Sequence, residues 1–288
     1  MRFNAGLAAL KQVARAWGED RVPSMGAALA FYTTFSLAPL LLIVMAVAGL
    51  VFGEEAARGE IQTQLRSLMG EQGASAVQAL LVSVHKPAES FAAAAFGGLL
   101  LLIGATTVFG ELQDDLDRIW RAPALKKSNG LWLLLRTRLL SFGMILAIGF
   151  LLIVSLIVSA GLASVGSQIG SQFGDWVRVA NGLNTALSLV SITVMFALIY
   201  KYMPRVHVAW KDVWVGAAIT AAFFTLGKSL IGLYIGRSSV SSGFGAAGSL
   251  VVVLLWVYYS AQIFLLGALF TWVYANSFGS RKTSVTLR

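Results

Sequence analysis

The sequence predicts an all-α polytopic membrane protein with six transmembrane helices, and three observations lead there. Residues Ser238 to Ser280 run for 43 positions without an Asp, Glu, Lys or Arg. A water-soluble helix must show a polar face, and the centre of this stretch, Gly243 to Ala275, shows almost none. It is also longer than the ~20 residues that cross a hydrocarbon layer of ~30 Å. Apolar residues make up 57% of the 288 and charged residues 12%, with a mean hydropathy of +0.77. Such a composition excludes an ordinary soluble domain. Finally, Lys and Arg concentrate in alternate connectors, the pattern that orients a multi-spanning chain.

The elements follow in order. Over residues 1–22, Phe3, Leu7, Leu10, Ala14 and Trp17 fall on one helical stripe, accompanied by Arg2, Lys11 and Arg15. This is a cytoplasmic amphipathic helix, lying on the membrane surface or packed under the bundle. Charges interrupt the N-terminus before an apolar core forms, so the first span is expected to act as an uncleaved signal anchor. A transmembrane domain over 23–276 then carries spans at about 29–52, 91–109, 139–163, 183–203, 213–236 and 247–274. Residues 277–288 form a basic cytoplasmic tail. Pro39 interrupts the first span and Pro204 closes the fourth. Between spans one and two, 53–90 reads as one or two amphipathic helices broken near Gly70 and Gly73. After span two, Leu112, Leu116, Ile119 and Trp120 share a face opposite Asp114, Asp115, Asp117 and Arg118, and Pro123 ends that helix.

Orientation comes from counting cations. The N-terminus, 111–138, 201–212 and the tail hold 16 of the 22 Lys and Arg, against 5 in the other connectors. Both termini are therefore expected in the cytoplasm. The net charge of +9 follows from this asymmetry, and no segment offers the basic, aromatic-studded soluble face that nucleic acid needs. The absence of cysteine excludes thiolate chemistry, and two histidines are too few for a histidine metal cluster. No cofactor or metal is expected.

Lys228 is the one formal charge deep in a predicted span. A charge at that depth is costly, and it tends to face the bundle interior or a wet cavity. By helical rise it lies level with Trp256, Tyr258 and Tyr259, with Ser260 and Gln262 a turn away. Lys228, Tyr258, Tyr259 and Gln262 are the candidate substrate-binding residues, suited to an anionic headgroup or carboxylate. A snorkelling or carbonyl-capping lysine and core-packed tyrosines are the structural alternatives. Trp272 and Tyr274 read as interfacial anchors. Pro39 and Pro204 are candidate kinks or hinges; Thr33, Thr34 or Ser36 can satisfy the carbonyl that Pro39 frees. The acids Glu111, Asp114, Asp115 and Asp117 do not converge as metal ligands would. They read as a solvated helix face neutralised by Arg118 and Arg121.

Four stretches resemble the YihY/virulence factor BrkB family: AALAFYTTFSLAPLLL (Ala27 to Leu42), LDRIWRAP (Leu116 to Pro123), YKYMPRVHVAWKDVWVGAAITA (Tyr200 to Ala221) and GFGAAGSLVVVLLWVYYSAQIFLLGALFT (Gly243 to Thr271). The resemblance implies a six-helix protein of the bacterial inner membrane. Members of that family have been labelled ribonuclease BN or tied to serum resistance and envelope lipid export. The ribonuclease label finds no cluster of metal ligands or general bases to support it here, and the chain is not expected to be an enzyme. The chain departs from the family at Leu269, where the resembled last span carries Glu, and at Phe244, often Tyr. The expected function is transport or export of an amphiphilic, lipid-like envelope substrate. The alternative is a membrane scaffold that docks envelope partners through 53–90. The expected partners are membrane lipids and such a substrate. A homo-oligomer, through Gly232/Gly236 or Gly245/Ser249, or an envelope protein partner is left open.

Overall fold

The computed structural model describes residues 2–84, 107–123, 176–237 and 247–282. Among them every regular element is a helix. In chain order these are α1 (Arg2–Glu19), α2 (Val22–Phe52), α3 (Glu54–Val84), α4 (107–119), α5 (Trp176–Tyr202), α6 (Trp210–Arg237) and α7 (Gly248–Ser277). The third predicted span, 139–163, and nearly all of the second lie outside the described residues.

Three helices contain stretches long and apolar enough to cross a membrane: Thr185–Tyr202, Trp210–Ile235 and Gly248–Ser277. They correspond to the predicted segments 183–203, 213–236 and 247–274. Each parent helix runs ~40 Å or more at 1.5 Å per residue, beyond the hydrocarbon thickness. Helix α2 covers the predicted first span and passes through Pro39. Thr34 Oγ1 donates to Ala30 O at 2.7 Å and Ser36 Oγ to Thr33 O at 3.1 Å. Neither of these bonds serves the Phe35 carbonyl, the one that Pro39 leaves without its intrahelical donor. Pro204 is buried and lies just past the end of α5, so it stops that helix.

The chain divides into two compact units. One comprises Met1–Val13, Leu116–Ala222 and Gly267–Arg288; the other comprises Ala14–Asp115 and Phe223–Leu266. In the second unit, Ala30, Met69, Ala76, Val77, Ile235, Val252, Val253 and Val257 form a buried apolar cluster. The residues of α3 in it owe their place to a sharp reversal. Gly70 has φ 73° and ψ 176°, a backbone conformation open to glycine and strained for other residues. Gln62 and Gln78, each eight positions from Gly70, hydrogen-bond side chain to side chain at 3.2 Å. Sixteen residues of straight helix would hold them ~24 Å apart, so α3 is a helical hairpin. The break expected near Gly70 is there, and Arg66 and Glu71 bridge it at 3.1 Å.

Helix α1 leaves Leu7 and Leu10 exposed while Val13, Ala16 and Asp20 are buried. Two turn residues, Asp20 and Arg21 (φ 56°), separate it from α2.

Candidate functional site

In the second unit, α6 meets α7 at a glycine. A methyl group at Gly227 would stand 2.5 Å from Ile263 Cδ1 and 2.9 Å from Tyr259 Cε1. With no side chain there, the two backbones close up, and the Tyr259 hydroxyl lies against the residue that precedes Lys228. Phe224 meets Trp256 edge to face, with centroids 6.1 Å apart. Lys228 is half-buried on the same stretch of helix. Tyr259 is therefore level with Lys228, at the depth that helical rise predicts. The other two predicted residues point to different neighbours. Tyr258 packs against the apolar cluster. Gln262 is held toward α2, its Nε2 3.4 Å from Pro23 O and its amide against Gly26. On these stretches of α6 and α7, Thr225 Oγ1, Trp256 Nε1 and Gln262 Oε1 are buried without a hydrogen-bond partner among the described residues. Buried polar atoms are nearly always paired, so these three call for an explanation.

In the first unit, α5, α6 and α7 meet at another polar point. The Tyr200 hydroxyl lies 3.1 Å from Thr220 Oγ1, which donates to Gly216 O at 2.8 Å. A threonine hydroxyl has one proton, so Tyr200 is the donor to Thr220. Thr271 donates to Gly267 O at 2.6 Å. Methyl groups at Gly216 or Gly267 would overlap the Thr271 or Thr220 side chain respectively.

Beyond these helix ends lies a clasp that sequence reasoning missed. Asp117 Oδ1 accepts the Arg205 backbone N–H at 2.7 Å, and Asp117 Oδ2 pairs with the Arg205 guanidinium at 3.1 Å. Asp212, fully enclosed in the first turn of α6, accepts from Ser280 Oγ at 2.5 Å and from Ser280 N at 3.2 Å. Arg281 donates to His207 O at 2.6 Å and lies 5.2 Å from the Trp120 ring centroid. Arg121, at φ 53°, lies 5.4 Å from the Trp272 centroid. Helix α4 closes with Ala122 N donating to Asp117 O and Arg121 N to Arg118 O, a Schellman end with arginine where glycine is usual.

The solvated acidic face expected on α4 is corrected by this geometry. Asp115 and Asp117 are buried while Asp114 stays exposed, and Asp117 pairs with Arg205, 88 positions away. Trp272, read as a belt anchor, receives a guanidinium. Leu269 is fully buried, so hydrocarbon fills the position where the resembled family has a carboxylate. Among the described residues no group of acids and histidines is arranged to hold a metal.

The model of the virulence factor BrkB family matches residues 13–286. The chain belongs to the BrkB family. Its relatives include a UPF0761 membrane protein of Ralstonia nicotianae, 29% identical over 269 residues, a match covering 91% of this chain and 58% of the relative. Another, from Pseudomonas paraeruginosa, is 25% identical over 273 residues, covering 92% and 62%. A third, from Neisseria meningitidis serogroup B, is 27% identical over 264 residues, covering 90% and 61%. This chain therefore spans less than two thirds of the length of these relatives, each of which is named as a membrane protein. No solved structure matches it. As a BrkB-family member it is a membrane protein whose α5, α6 and α7 are suited to the bilayer.

Proposed function

We propose that this BrkB-family protein moves an anionic amphiphile, a lipid-like envelope substrate, across the bacterial inner membrane, and that Lys228 meets its polar group. The observation that carries the reading is a half-buried lysine next to Gly227, where α6 meets Tyr259 and Ile263 of α7, on helices that also carry buried Thr225, Trp256 and Gln262 atoms without partners among the described residues. An ammonium in hydrocarbon is expensive to keep, and such groups mark ligand pathways more often than packing needs. Tyr259 is the neighbour best placed to share the polar group. Native mass spectrometry of the detergent-purified protein tests this. The parent is expected to retain one more defined anionic lipid than Lys228→Met does; equal retention would remove Lys228 as the site.

The same reading has the chain crossing six times, with both termini in the cytoplasm, the first three crossings being 29–52, 91–109 and 139–163. Fusions of alkaline phosphatase and green fluorescent protein check it. Phosphatase activity is expected within 53–90 and fluorescence at the tail; the same reporter active at both positions would overturn the topology.

A non-transporting scaffold is the second reading, favoured by the hairpin of α3, which presents Glu55, Arg58, Thr63, Arg66, Glu71 and Gln78 to its surroundings. A scaffold would keep the same lipids in Lys228→Met.

A further inference from the structure

The connection between α5 and α6, 203–209, joins two helices suited to the membrane, so residues flanking it stand at a bilayer surface. Three large aromatic side chains there are uncovered: Tyr202 is 50% exposed, Trp210 39% and Trp214 45%. They form one continuous ladder. Tyr202 meets Trp210 edge-on with centroids 6.0 Å apart, and Trp210 stacks on Trp214 at 6.1 Å. The Lys201 ammonium stands 5.5 Å from the Trp210 centroid and is anchored by donating to Val208 O at 2.5 Å. Lys211, next to Trp210, is exposed.

The acids of this neighbourhood are turned inward. Asp212 is enclosed and bonded to Ser280, and Asp117 is enclosed against Arg205. The uncovered face therefore presents lysines without carboxylates of its own segment to neutralise them. An amphipathic aromatic ring suits the headgroup depth of a bilayer. A protein or a second copy seated there would need acids opposite the lysines and apolar groups opposite the ladder; an anionic lipid supplies both in one molecule.

We infer that Tyr202, Trp210 and Trp214, with Lys201 and Lys211, form a binding surface for anionic phospholipid headgroups of the adjoining leaflet. The phosphate is taken by the lysines, while the glycerol and upper acyl chain lie along the ladder. The inference rests on the chain lying in a membrane and is independent of the transport reading, so Lys228→Met leaves it unchanged.

The protein contains no cysteine, so His207→Cys gives a single labelling position for a bimane fluorophore. The full chain is reconstituted into phosphatidylcholine vesicles containing equal mole fractions of either brominated phosphatidylglycerol or brominated phosphatidylcholine. Stronger quenching by the glycerol lipid is expected, with a local enrichment of about fivefold for each surface lysine. Lys211→Glu abolishes the preference and Lys211→Arg keeps it. Because Lys211 is exposed, both variants should unfold at the parent temperature. Equal quenching by the two lipids in the parent, or a preference that survives Lys211→Glu, overturns the inference. Absence of quenching by either lipid, the result of a second copy or another protein covering the ladder, overturns it as well.

Discussion

Gly267→Ala is expected to destabilise the detergent-solubilised protein by about 2–4 kcal/mol, read as a fall in unfolding temperature. The position is where α5, α6 and α7 meet. The added methyl carbon would stand 2.6 Å from the Tyr200 hydroxyl and overlap Thr220 Oγ1. Forcing a methyl into a filled site costs about 1–3 kcal/mol, and parting Tyr200 from Thr220 adds roughly 1 kcal/mol. Thr220→Ala in the same chain should restore only part of the loss, because Tyr200 still blocks the methyl. Gly232→Ala is the control. Nothing lies within 4 Å of a methyl there, so that change should be neutral or mildly stabilising. A Gly267→Ala protein as stable as the parent would show that the three helices do not meet this closely.

The second large effect is at the clasp. Asp117→Ala strips Arg205 of both its partners on that carboxylate, the guanidinium pair and the backbone bond. Removing one member of a buried pair costs about 3–5 kcal/mol. The Arg205 side chain is 29% exposed and regains some hydration, so about 2–4 kcal/mol is the expected loss by thermal unfolding. Asp117→Asn should cost less, since its amide oxygen still accepts the Arg205 N–H. Exchanging the two residues should not rescue the protein, because an arginine at 117 has no acceptor for that backbone N–H. Full rescue by the exchange would reduce the contact to simple charge attraction.

How much of this was legible follows from what periodicity measures. Hydropathy located α6 and α7 to within three residues, because lipid-facing and core-facing positions are both apolar there. It began α5 at 183, whereas the helix starts at Trp176; Arg178, Asn181 and Asn184 in its first turns carry no hydropathy signal. The hairpin turn at Gly70 was signalled by glycine alone. The clasp was not legible, since Asp117 with Arg205 and Asp212 with Ser280 are pairs made by the tertiary fold. Helical spacing sees only neighbours three or four apart, so it could not pair Asp117 with Arg205. The Arg121 backbone conformation likewise has no sequence signature. At the candidate site, rise per residue placed Tyr258 and Tyr259 level with Lys228, but it gave depth without direction. It could not show that Tyr258 turns to the apolar cluster or that Gln262 turns to Pro23.

The central claim is that an anionic amphiphile passes by way of Lys228, and flux across a closed membrane tests it most directly. The purified protein is reconstituted into vesicles carrying fluorescent NBD-labelled phosphatidylglycerol, and loss of fluorescence to external dithionite reports movement between leaflets. The account predicts faster loss of the protected fraction than in protein-free vesicles, with the acceleration abolished in a folded Lys228→Met variant. Parent and Lys228→Met vesicles that match protein-free vesicles, or an acceleration that Lys228→Met leaves intact, would contradict it.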